Sequence, residues 1–205
     1  MAFEHRRTFS LIEIQHLLIA WLALGLAFSI SMLGLPNINE LGPFIRIFMI
    51  SLLTIGAGFI GHELTHKFVA QRYGCFAEFR MWPLGLIFAL FFALTLGVVF
   101  AAPGAVYITP VSFGLGYGIT NRENGIISLS GPLTNALLAL IFFPLIFYTG
   151  LLNEIGRLGF FINLLLAAFN LIPFPPMDGH KVFIWNKGIW AIVAIPLWAI
   201  VIISI

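Results

Sequence analysis

Charge is what this sequence has least of. Of its 205 residues, 10 are Lys or Arg and 8 are Asp or Glu, 9% in all, against roughly 25% in ordinary chains. So few charges cannot coat a water-facing surface, and a mean hydropathy of +1.05 excludes an ordinary soluble domain. Cysteine is nearly absent too. Cys75 stands alone, which excludes an intrachain disulfide and a thiolate metal cluster. There is one aspartate, Asp178, and there is no internal repeat, low-complexity tract or linker. A net charge of +2 from so few side chains builds no basic patch and does not point to nucleic acid. What the sequence does have, 22 Phe and 5 Trp, is what disordered chains lack. Apolar runs near the roughly 20 residues that cross a bilayer recur along it.

These features predict an all-α polytopic membrane protein: one integral-membrane domain over 1–205, with about five to seven transmembrane segments. The apolar stretch Leu17–Leu35 exceeds the roughly 7–15 residues of a signal-peptide core and reads as a retained first helix, 11–34. Glu13 and His16 fall at its entrance, at headgroup level. Further spans are expected at 43–69, 126–149, 157–173 and 189–205. Residues 74–82 alternate loosely and suit a short interfacial or membrane-embedded β element after the second helix. Residues 84–100 are apolar, and 101–119 are glycine-rich and uncharged.

Orientation follows from the basic residues. If 84–120 enters and leaves on one side, Arg6, Arg7, Lys67, Arg72, Arg80, Arg122, Lys181 and Lys187 share a side, opposed only by Arg46 and Arg157. A single crossing there would spread them almost evenly. The even-crossing arrangement fits the positive-inside rule and places the amino terminus in the cytoplasm of a multi-pass cell-membrane protein.

Ionisable groups inside apolar spans cost a few kcal/mol each and by default mark function. The second span is free of charge from Ile47 to Gly61 and then reads His62-Glu63-Leu64-Thr65-His66. Histidines at i and i+4 share a helix face and can both reach one zinc ion at about 2.0–2.1 Å. Glu63 sits beside the first ligand, placed to take a proton from a metal-activated water, as in zinc-dependent hydrolases. The blander alternative is a helix end snorkelling to the interface beside Lys67.

A catalytic zinc takes three protein ligands and keeps one position open. Asp178 follows Asn170-Leu171-Ile172-Pro173-Phe174-Pro175-Pro176-Met177. Prolines stop helices, so Asp178 is expected on irregular backbone, which at membrane depth survives only where it lines a cavity or is buried in protein. An ordinary loop aspartate in a proline turn is the alternative, and His180 is a rival ligand. Only the even-crossing arrangement brings Asp178 to the depth of His62 and His66.

The two motifs together resemble the site-2 protease family of intramembrane zinc metalloproteases, over roughly residues 43–80 and 120–185. The resemblance implies one zinc ion held by His62, His66 and Asp178, with Glu63 as general base and a catalytic core over about 43–185. It also implies that Asn170 assists near the catalytic water or oxyanion. Ser130-Gly131-Pro132-Leu133-Thr134-Asn135 is similar to the family's small-residue core helix, where close packing is expected, of Asn135 as well. Residues 103–108 are similar to the family's embedded strand, a resemblance that implies Gly104, Ala105 and Val106 as substrate-binding residues through edge pairing; an ordinary glycine turn between apolar segments is the alternative. The family often has Gly where this chain has His180, a position from which a second-sphere contact or weak competing ligation is open. The implied activity is zinc-dependent endopeptidase cleavage within the lipid bilayer, with transmembrane helices of membrane proteins as partners. A membrane metal-ion transporter and a catalytically inactive scaffold are the alternatives. The clustering of polar groups at one depth and the non-ligand Glu63 count against both.

Overall fold

In the computed structural model, which describes residues 9–99, 103–110 and 118–204, each element begins and ends where its local chemistry requires. Arg6, Arg7 and part of the glycine-rich 101–119 stretch lie outside the described residues. Helix α1 (Leu11–Leu33) starts where the Ser10 hydroxyl accepts the Glu13 N–H at 3.0 Å, a side-chain N-cap. It stops at Gly34, whose φ of 73° favours glycine.

The predicted second span is one long helix in three parts: α2 (Leu41–Ile55), a π-helical turn (Gly56–Ile60) and α3 (Gly61–Arg72). Neighbours crowd the wide turn. A Cβ on Gly56 would lie 2.6 Å from the Trp21 indole nitrogen, and one on Gly58 would lie 2.6 Å from Asn163 Oδ1. Trp21 instead donates to the Leu52 carbonyl at 2.7 Å. Such a turn shifts the register of every later side chain and recurs at functional sites; here it immediately precedes His62.

The expected β element is present. Strand β1 (Cys75–Met81) pairs antiparallel with β2 (Gly104–Pro110), Met81 opposite Gly104 and Cys75 opposite Pro110. Between them α4 (Pro83–Leu96) rises only about 21 Å, short of the roughly 30 Å hydrocarbon layer. Its far end meets α1, where the Ser31 hydroxyl donates to the Gly97 carbonyl. By Pro103 the chain is back beside its starting point, the Trp82 N–H donating to the Pro103 carbonyl at 2.8 Å. The 83–103 excursion therefore makes no net passage through the molecule.

Helices α5 (Asn121–Phe142) and α6 (Leu151–Asn170) follow, then the short α7 (Asp178–Trp185) and α8 (Lys187–Ser204). Thr120 and Glu123 cap α5 reciprocally. Two indoles of α8, Trp190 and Trp198, donate to the Leu171 and Ala168 carbonyls at 2.8 Å each, satisfying acceptors at the end of α6. Asp178 was expected on irregular backbone; that backbone covers the preceding prolines, and Asp178 is the first residue of α7.

Four helical stretches among the described residues are long and apolar enough to cross a membrane: 11–33, 41–72, 121–147 and 151–170. The shorter apolar α4 and α8 complete the set. Helix contacts run along small residues, Ala20 and Ala27 of α1, Ala89 and Ala93 of α4 and Ala167 of α6, all buried. Lipid offers no hydrophobic drive between helices, so small residues that allow close approach set the packing. Outward faces carry Leu18, Leu22, Leu137, Leu140, Ile192 and Ile203, an apolar surface a soluble monomer rarely exposes.

Candidate metal centre

His62 and His66 project from α3, one turn apart, and Asp178 meets them from the start of α7. Asp178 Oδ2 lies 3.2 Å from His62 Nε2 and 3.0 Å from His66 Nε2, and the two Nε2 atoms are 2.9 Å apart. Both histidines are buried.

The partners of the other ring nitrogens say what these three atoms are. His66 Nδ1 lies 2.7 Å from the Ile127 carbonyl, which only accepts, so Nδ1 carries the proton. His62 Nδ1 lies 2.6 Å from Asn135 Oδ1. The Asn135 amide is oriented by its own nitrogen, which donates to the Gly58 carbonyl at 3.0 Å and to Asn163 Oδ1 at 3.1 Å. His62 Nδ1 therefore donates as well. Each imidazole turns a bare Nε2 toward the other and toward a carboxylate oxygen. Three acceptors cannot bond one another; a cation satisfies all three.

Size agrees with chemistry. Three ligands of a tetrahedral zinc at 2.0–2.1 Å stand roughly 3.3–3.4 Å apart, close to the 2.9–3.2 Å found. The space beside them is kept by Gly131 of α5, where a Cβ would fall 2.4 Å from His66 Nε2 and 2.6 Å from His62 Nε2. Among the described residues, His62, His66 and Asp178 form a group able to hold a metal ion.

The site opens into a cavity of about 410 Å³. Glu63 and Asn170 line it, as do Gly104, Ala105 and Val106 of β2. Glu63 is buried, with the Val106 backbone N–H in electrostatic reach of its carboxylate. Asn170 Nδ2 donates to the Leu166 carbonyl at 2.9 Å. The bond from Trp82 to Pro103 sets the phase of the ladder: Ala105, Tyr107 and Thr109 bond β1, while Gly104, Val106 and Ile108 turn their backbone groups away from it. No strand among the described residues pairs with that second edge. His180 stands outside both the ligand group and the cavity lining.

Two features escaped the sequence. Asn135 was placed in a helix contact, whereas it fixes the tautomer of a candidate ligand, with Asn163 behind it. Both are polar amides inside apolar spans, which mark function as buried charges do. Glu13 stands at the entrance of α1 as expected, and what the sequence does not show is its burial against an equally buried Lys67.

No family profile matches the chain, and no solved structure matches it. Among proteins of known sequence it is 50% identical over 192 residues to "Putative zinc metalloprotease MJ0611" of Methanocaldococcus jannaschii, covering 92% of each chain. It is 28% identical over 145 residues to "Putative zinc metalloprotease YwhC" of Bacillus subtilis, covering 64% of this chain and 66% of that one.

Proposed function

The chain belongs to the metalloprotease family of its Methanocaldococcus relative, and from that premise we propose that it is an intramembrane endopeptidase of the site-2 type, cleaving transmembrane segments of other membrane proteins. One observation carries the reading. A triangle of bare acceptors and an unpaired strand edge face the same cavity, among helices long and apolar enough to cross a membrane.

His62, His66 and Asp178 would hold one zinc ion. When bound, zinc supplies Lewis acidity toward a carbonyl oxygen and toward water. Every remaining step belongs to the protein. Glu63 takes the proton of the attacking water and delivers it to the leaving amine, acting as base and then as acid. Asn170, on the same cavity wall, steadies the reacting carbonyl. A helical amide is hydrogen-bonded and shielded, so the substrate helix must unwind locally. The outer edge of β2, at Gly104, Val106 and Ile108, replaces the lost helical bonds with strand pairing. Ala105 lies in this strand but bonds β1. The charge distribution supports an amino terminus in the cytoplasm and water entry from that side.

The test is cleavage of a transmembrane substrate by the protein in proteoliposomes. Glu63→Gln is expected to keep wild-type zinc content and lose cleavage. Cleavage at the wild-type rate by that variant overturns the assignment.

A further inference from the structure

Glu13 and Lys67 are the buried ionisable pair that the proposed chemistry does not use. They are 0% and 1% exposed, and their side chains form an ion pair between α1 and α3. Lys67 directly follows His66, and its ammonium also stands 4.1 Å above the Phe9 ring. The second Glu13 oxygen accepts the Phe79 N–H at 3.0 Å, on the edge of β1 that faces away from β2. Beside it the Met81 N–H points to His16 Nδ1 at 3.4 Å.

A buried ion pair is often no more stabilising than apolar residues of the same volume, so filling space does not explain this one. What an apolar pair cannot do is accept a hydrogen bond from the Phe79 N–H. That residue lies opposite Val106 in the sheet, and its ring packs edge-on against Phe59 of the π-turn, centroids 5.5 Å apart. Val106 in turn is the β2 residue whose backbone N–H reaches the Glu63 carboxylate. One carboxylate thus links the helix bearing the metal ligands to the strand at the cavity: Lys67 on one oxygen, Phe79 on the other.

We propose that Glu13 is a positioning residue that sets the β2 edge at working distance from the metal centre. The role rests on the reading that β2 receives the substrate. Glu13 touches neither substrate nor ligand and acts through the β1 backbone.

Two double variants separate positioning from packing. In E13Q/K67M both charges are gone, yet the Gln carbonyl still accepts from Phe79. In E13L/K67M the charges and the acceptor are both gone. Each is reconstituted with a transmembrane substrate, and zinc content, hydrogen exchange at the Phe79 amide, KM and kcat are measured. E13Q/K67M is expected to keep wild-type exchange and KM. E13L/K67M is expected to keep its zinc, exchange Phe79 faster and lose roughly tenfold in kcat/KM, mainly through KM, the net worth of one hydrogen bond. Glu13→Asp, with the charge kept and the reach shortened by a methylene, gives a second reading, with zinc retained and KM raised. Equal KM in the two doubles, wild-type KM in Glu13→Asp, or losses that follow zinc content would overturn the proposal while leaving the protease reading intact. No cleavage by the wild-type protein overturns both.

Discussion

The ligand cluster and the pair of Glu13 and Lys67 both bury ionisable side chains, and they are built on opposite principles. At the ligand cluster, three acceptors converge with no donor between them, beside an open cavity. At Glu13 and Lys67 each charge meets its opposite, and the remaining carboxylate oxygen meets a backbone N–H. The first is chemically incomplete without a cation. The second is closed on itself. Burial of charge in an apolar chain therefore has two outcomes, and only the unmatched one points to a bound metal and a reaction.

The contrast can be broken most severely at Gly131. Ala there puts a Cβ at 2.4–2.6 Å from both Nε2 atoms, so zinc is expected to be excluded and cleavage to fall by at least ~10³, the several kcal/mol a Lewis acid supplies. Metal analysis and the cleavage assay read this out; a zinc-loaded, active Gly131→Ala protein breaks the account of the space. Next comes the closed pair. Lys67→Met leaves a buried carboxylate without its cation and is expected to cost about 3–5 kcal/mol, seen as a lower unfolding midpoint in detergent. Adding Glu13→Gln should recover most of that loss. A smaller effect sharpens the open cluster: Asn135→Leu frees the His62 ring and should weaken zinc about 10–100-fold, measured by competition with a chelator. The smallest is the ion pair between Arg46 and Glu154, 2.7 Å apart and well exposed. Arg46→Ala should change stability by about 0–1 kcal/mol and leave zinc content untouched.

Much of the candidate site was legible because charge is scarce. His62, Glu63 and His66 stand out against an uncharged span, and the sole aspartate ends another. Apolar runs match the helical stretches 11–33, 41–72, 121–147, 151–170 and α8 to within six residues at each end, and loose alternation matches β1; the short α7 carries no such run. What escaped was set by contacts between distant segments. The π-turn before His62 follows from Trp21 and Asn163 packing against glycines of another helix. The match of Glu13 to Lys67 spans 54 positions, and no spacing rule reports such a partner. Whether 84–120 is re-entrant or two spans is not legible in the sequence; packing adds the bond between Trp82 and Pro103, which brings the ends of the 83–103 segment together.

On the proposed reading, His62, His66 and Asp178 are unfinished without one zinc ion. X-ray absorption with metal analysis on the purified protein tests it directly. One zinc per chain is expected, with nitrogen and oxygen donors at about 2.0–2.1 Å, lost in Asp178→Ala and His66→Ala. Zinc retained undiminished in the His62→Ala, His66→Ala, Asp178→Ala triple variant, or a wild-type protein that takes up none, would contradict it.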